Sequence, residues 1–263
     1  MSAADHHSIV FGPFSSPQLG TCLGFNIAPA RRTKETEGSV YDQTPPDEAG
    51  PIISLRRKMP TPGVVVTSAA RRLIELSRAG EKIEALVVTG NLEPTSHPEL
   101  VEVVENLREL RDKWYAKAAL ALVSHALDVD APHLRHALGM FDKLIVRFEW
   151  GTAKVFASAT SRQGTDLKRI VETLAGVDRL VLQACFVEGK SGNGTPVEVR
   201  NWIKKVAEIR PREVHLGTLV SRNGRTGGGP KPCSTERLDQ IAAELLEKTG
   251  IQARVVSAEA LPV

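Results

Sequence analysis

The residues most able to do chemistry in this chain stand where apolar runs end. Ala85–Thr89 is one such run, and Gly90, Asn91 and Glu93 follow it closely. A carboxylate at the end of a buried strand is hard to explain by packing; it needs a neighbouring arginine or a ligand. Glu93 is therefore a candidate ligand-binding group. A second acid, Glu149, closes the run 143–150 with Arg147 two residues before it. Glu35, Asp42, Glu93 and Glu149 are the oxygen donors that suit a hard divalent cation. Acids in a polar loop such as 35–42 are usually solvated, so no metal site is assigned to them. His133 and His136 have a metal-binding spacing but no third ligand nearby. No nucleophile–base pair is visible, and no residue is assigned as catalytic.

The elements that must carry these residues alternate. Gly24–Pro29, Ala85–Thr89, Leu120–Val123, Lys143–Trp150, Arg179–Phe186 and Glu213–Val220 are apolar enough for strands buried on both faces, with a seventh at Gln252–Ser257. Ser68–Arg78, Pro98–Lys113, Pro132–Leu138, Thr165–Leu174, Pro196–Ile209 and Ser234–Lys248 have apolar residues at three- and four-residue spacing and read as helices. Ser234 and Glu236 cap the last of these, and Gly250 stops it. Strand–helix alternation of this kind predicts a parallel sheet with crossover helices.

Two long polar stretches break the rhythm, at 30–63 and 221–233. Both leave from the C-terminal strand ends, where folds of alternating parallel strands and helices place their chemistry. Arg222, Arg225 and Lys231 in the second would suit a phosphate or an RNA backbone, and equally a mobile linker. Tyr41 and Trp150 are aromatics near that end, whereas Trp202 sits at core spacing on a helix.

Composition narrows the classes. The chain has 263 residues, 41% hydrophobic and 25% charged, with a net charge of +3. That charge is too small to announce a nucleic-acid binder. Cys22, Cys185 and Cys233 are too far apart for a CxxC pair, a zinc knuckle or a disulfide framework, and fit a reducing compartment. Cys22 is expected before the first strand, Cys185 within the fifth and Cys233 in the glycine-rich loop. With no signal-peptide pattern and no long apolar run, a soluble cytoplasmic protein with no membrane association is the expectation.

The segment IVFGPFSSPQLGTCLGFNIAP at 9–29 resembles the opening of the radical S-adenosylmethionine (SAM) proteins related to the wyosine-forming tRNA enzymes. TGNLEPTSHP at 89–98 resembles that family's GNGEPTLHP segment, with Leu92 where the family generally has Gly. LIVRFEWGTAKVF at 144–156, VLQACFVEG at 181–189 and VHLGTLV at 214–220 resemble its fourth, fifth and sixth strands. The likeness spans roughly residues 9–250. It implies an α/β fold, a partial (β/α)6 TIM-like barrel of the radical SAM type, in a single domain 1–263. Within it, 8–29 is the first strand region, 30–63 the degenerate cluster loop, 64–250 the remaining barrel and 251–263 a C-terminal strand or tail.

The same resemblance bears on function. The family's CxxxCxxC motif aligns with Glu35, Ser39 and Asp42, so the three thiolates that hold a 4Fe-4S cluster are missing and the cluster is expected to be absent. Gly90, Asn91, Glu93, Glu149 and Tyr41 are the implied SAM-binding positions; the Glu93 carboxylate would receive the SAM ammonium. His97 matches a family histidine and is expected to cap or pack the turn. The implied function is a cluster-less, non-catalytic scaffold for SAM, a nucleotide or a protein partner such as an active enzyme of the same pathway. An enzyme using Glu93, Glu149 and Arg147 for acid–base work on a small molecule, and a tRNA-binding accessory, are the competing readings.

Overall fold

The computed structural model describes residues 9–16, 18–29, 59–90, 93–125, 132–160, 163–189, 192–219 and 231–256. These fall into two compact units, divided between Leu144 and Ile145. The loop expected at 30–63 is described only from residue 59, and 221–233 only from residue 231.

The first unit is built from β1 (Val10–Ser16), β2 (Gly20–Ala28), α1 (Pro62–Arg78), β3 (Ala85–Gly90), α2 (Leu100–Trp114), β4 (Ala119–Ser124) and α3 (Pro132–Gly139). Its strands lie in the order β1-β2-β3-β4. β2, β3 and β4 are parallel, while β1 pairs antiparallel with β2. The opening segment is thus two strands rather than one, and Cys22 lies inside β2 rather than before the first strand. Gly12 and Pro13 interrupt the apolar pattern of β1, where the register also shifts, so the segment does not read as a strand. α1 begins at Pro62, ahead of the expected Ser68. A proline at the first helical position is preorganised for helix and overrides the β-branched run Val64–Thr67.

Register separates the faces of these strands. Leu23, Phe25, Leu86, Val88, Leu120 and Leu122 share one face, all buried. Gly24, Val87 and Ala121 share the other, with Asn26 and Thr89 next along. This second face is built from small residues for a reason visible at Gly24. The ring of Phe11, its partner on β1, lies over it, and a Cβ there would run into that ring.

The second unit begins within β5 (Lys143–Arg147). α4 (Ala153–Thr160), α5 (Asp166–Leu174), β6 (Leu180–Cys185), β7 (Val187–Glu188), α6 (Pro196–Ile209), β8 (Glu213–Gly217), β9 (Lys231–Pro232), α7 (Thr235–Thr249) and β10 (Ala253–Val255) come after it. The sheet order is β5-β6-β8-β10, with β6, β8 and β10 parallel. β7 and β9 form a separate antiparallel pair beyond the ends of β6 and β8. The caps of the last helix match expectation: the Ser234 hydroxyl accepts from the Arg237 amide (3.2 Å), and Gly250 takes the left-handed conformation.

Helices cover one face of this second set of strands. Trp202 of α6 packs edge-on against Phe186 and donates its indole N–H to the Phe148 carbonyl (2.9 Å). Trp150 packs between Phe148 and Phe156 of α4. Trp202 is in the core as its spacing predicts. Trp150, expected near the ligand end, is a core residue too, because it shares the Phe148 side of the alternation.

Replacing Gly24 by valine puts branched carbon into the space of the Phe11 ring. The expected loss is about 2 kcal/mol of stability in urea unfolding. Adding Phe11→Ala recovers part of it; if the single change is neutral, the ring does not dictate the glycine.

Candidate functional site

Glu93 lies just beyond β3 and is buried. It caps a single 3-10 turn, Pro94–Ser96, and its carboxylate is held by four donors. Oε1 accepts from the Thr95 amide (3.0 Å), the Thr95 hydroxyl (2.6 Å) and the Ser124 hydroxyl (2.7 Å). Oε2 accepts from the His125 amide (2.9 Å), with the His125 ring nitrogen 3.9 Å away. The partner is therefore not an arginine, as electrostatics alone would anticipate, but hydroxyls and backbone amides. These fasten the end of β3 to the end of β4. A carboxylate offers about four lone-pair directions. Three donors crowd Oε1 and one hydrogen bond reaches Oε2, so Oε2 retains acceptor capacity.

His97 behaves as the turn residue it was expected to be. Its Nδ1 accepts from the Glu99 amide (3.1 Å), which leaves Nε2 to donate to the Pro60 carbonyl (2.9 Å). It ties the approach to α1 to the start of α2.

In the second unit, Glu149 lies just past β5 and is buried, as is Arg147. The organising residue nearby is Asn193. Its Nδ2 donates to the carbonyls of Glu149 (3.0 Å) and Cys185 (2.9 Å), and its Oδ1 accepts from the Val187 amide (2.8 Å). One fully buried amide thus satisfies three backbone groups that leave the ends of β5 and β6. Thr218 does related work after β8: its hydroxyl donates to the Phe186 carbonyl (2.7 Å) and accepts from the Cys233 amide (2.8 Å). Asn193 sits in a Ser-Gly-Asn-Gly stretch that reads as a turn, so its role is not visible in the sequence.

Of the implied SAM-binding positions, Gly90 is the last residue of β3, beside Glu93 in the first unit, and Glu149 is held in the second. Asn91 and Tyr41 lie outside the described residues, as do Glu35, Ser39, Asp42, Leu92, Arg222 and Arg225. His136 is exposed on α3.

All three cysteines lie among the described residues. Each is buried, in β2, in β6 and after β9. Burial pushes the Cys22 thiol up to about 12 from an ordinary 9.0, with the Glu84 charge adding to the rise and Lys143 opposing it. Burial likewise pushes Cys233 up to about 11, with Glu188 adding and Arg237 opposing. Among the described residues no group of three His, Cys, Asp or Glu is placed to hold a metal ion. No helix among them is long and apolar enough to cross a membrane.

Solved structures share this architecture. TYW1 with a lysine-pyruvate adduct bound superposes with a TM-score of 0.59 over 87% of this chain and 74% of its own, at 10% identity. Streptococcus suis SuiB bound to S-adenosylmethionine gives 0.55 over 80% and 47%, also at 10% identity. The fold of this chain is the partial (β/α)6 TIM-like barrel of the radical SAM type that these structures share. In sequence, a UPF0026 protein of Helicobacter pylori strain J99 is 24% identical over 226 residues, which is 82% of this chain and 68% of that protein. A second UPF0026 protein, from Helicobacter pylori strain 26695, is 23% identical over 228 residues, 82% of this chain and 68% of that protein. No family model matches the chain.

The site has two measurable consequences. Asn193→Ala strands three backbone groups, so urea unfolding should show a loss of about 3 kcal/mol, well beyond that of an exposed Asn→Ala change. The thiols set an alkaline limit. Because their native values are raised, the unfolded chain releases protons above about 9 that the native chain keeps, so stability falls as pH rises from about 9 towards about 12. Cys22→Ala should flatten that decline, and an unchanged slope would show that Cys22 ionises freely in the native protein.

Proposed function

We propose that this chain is a cluster-less radical-SAM-like protein that uses the barrel as a non-catalytic scaffold, binding SAM or a related nucleotide through Glu93. The observation that carries the reading is the Glu93 carboxylate, buried and oriented by four donors, with acceptor capacity remaining on Oε2. A fixed carboxylate loses little entropy on binding and makes a charge-assisted hydrogen bond to an ammonium group. Gly90, at the strand end beside it, keeps side-chain bulk away from the ligand. One structure of the same fold, SuiB, is described with SAM bound, which supports SAM as the first ligand to test.

Asn91, Glu149 and Tyr41 complete the proposed set. Glu149 would serve as a second polar anchor, and the Tyr41 ring as a stacking surface for the base. Radical chemistry is left out because positions 35, 39 and 42 carry Glu, Ser and Asp instead of cysteine. Without a bound ligand the scaffold would serve a protein partner, and that partner would be an active enzyme of the same pathway.

Calorimetric titration of SAM into iron-free protein tests the reading, with Glu93→Gln as the comparison. The variant keeps an acceptor oxygen but replaces the other oxygen with an amide donor, which repels an ammonium. Binding weakened at least about tenfold in Glu93→Gln is expected. Equal binding would reduce Glu93 to a strand-end fastener, and no heat with either protein would contradict the ligand reading.

A further inference from the structure

Backbone strain in the second unit falls on two arginines. Among the described residues, Arg179 (φ 60°) and Arg210 (φ 54°) are the non-glycine residues with positive φ. Arg179 precedes β6, and Arg210 is the left-handed cap that ends α6. Glycine is the usual residue in that conformation, because a Cβ is strained there, and α7 ends on Gly250 in just this way.

The two strained residues are neighbours. The Arg212 amide donates to the Leu180 carbonyl (2.8 Å), which lays the turn Arg210–Arg212 beside the start of β6, next to Arg179. Pro211 is buried in this turn, whereas Arg179, Arg210 and Arg212 are all exposed. Ion pairs hold other surface cations of the unit, such as Lys168 to Glu172 (3.6 Å) and Lys248 to Glu244 (3.8 Å). Among the described residues none holds these three arginines. The strain at 179 and 210 is therefore offset by nothing their side chains touch within the chain, and glycine at both places would relieve it. Arginine kept there has its use outside the chain.

We infer that Arg179, Arg210 and Arg212 form a docking surface for an acidic segment of a protein partner. Three exposed guanidinium forks select carboxylates or phosphates. The acids among them decide between the two. Asp178 adjoins Arg179, Glu208 stands two residues before Arg210, and Glu213 adjoins Arg212. A nucleic-acid backbone, charged at every residue, meets repulsion from each of these acids. A protein segment sets its carboxylates against the arginines and places neutral or cationic side chains opposite the acids. The absence of lysine from the trio also agrees with protein interfaces, where arginine is enriched and lysine depleted. The surface lies at the ends of β6 and β8 opposite those fastened by Asn193 and Thr218. It belongs to the second unit and stands whether or not SAM binds at Glu93 in the first.

Fluorescence anisotropy of a labelled peptide alternating glutamate and serine, titrated with the intact chain, tests this surface. The peptide should bind at low salt and dissociate as sodium chloride is raised. The double variant Arg179→Gly/Arg210→Gly should bind it about fivefold more weakly, since two exposed charge-assisted contacts are lost. Its melting temperature should be no lower than the parent's, because glycine relieves both left-handed positions. An oligouridylate of matched charge should bind the parent more weakly than the peptide does. No peptide binding at low salt, equal binding by parent and double variant, tighter binding of the oligouridylate, or a lower melting temperature in the variant would each overturn the assignment.

Discussion

Burying a parallel strand on both faces obliges its side chains to alternate between two different neighbours. In this chain that alternation sets the character of both faces of the sheet. Phe148, Leu182, Ala184 and Phe186 take the side covered by helices, with Trp202 of α6 set against Phe186. The intervening residues, Arg147, Glu149, Gln183 and His215, then have no choice but to occupy the other face, buried though they are. In the first unit the equivalent second face is made of small residues, Gly24, Val87 and Ala121, with Phe11 lying over Gly24. One strand rule thus yields a small-residue face in one unit and a polar face in the other.

Buried polar groups are destabilising unless they are met, and the chain meets most of them with short, local devices. Asn193 serves three backbone groups at once, Thr218 serves two, and Glu93 gathers four donors. These residues hold the ends of β3, β4, β5, β6 and β8 in fixed relation to their own loops. Gln183 departs from the pattern, as do Gln18 and the Trp150 indole nitrogen, which are likewise buried without a hydrogen-bond partner.

The parallel strands and most helices are legible in the sequence because their apolar runs and three- and four-residue spacings have no competing explanation. Elements that depend on distant partners are not. β1 hides behind Gly12 and Pro13 and is a strand only because β2 pairs with it. α4 is eight residues of small and apolar side chains, too short for a convincing period, and is held by Phe156 packing on Trp150. At the site, the type of residue at 93 is readable as exceptional, but its partners are not. Ser124 and His125 come from the end of the next strand and carry no local mark. Gln183 is likewise lost inside the run Leu180–Cys185, where a single polar residue reads as noise until register places it between Arg147 and His215.

The fold is of the radical SAM type, and the chain carries Glu35, Ser39 and Asp42 where the resemblance aligns that family's cysteines. On the proposed reading, function rests on what the barrel binds rather than on electron transfer to SAM. The most direct measurement is chromatographic recovery of SAM after anaerobic incubation of the protein with iron, sulfide and dithionite. A binding scaffold returns the SAM intact; catalytic reductive cleavage under those conditions would contradict the proposed function outright.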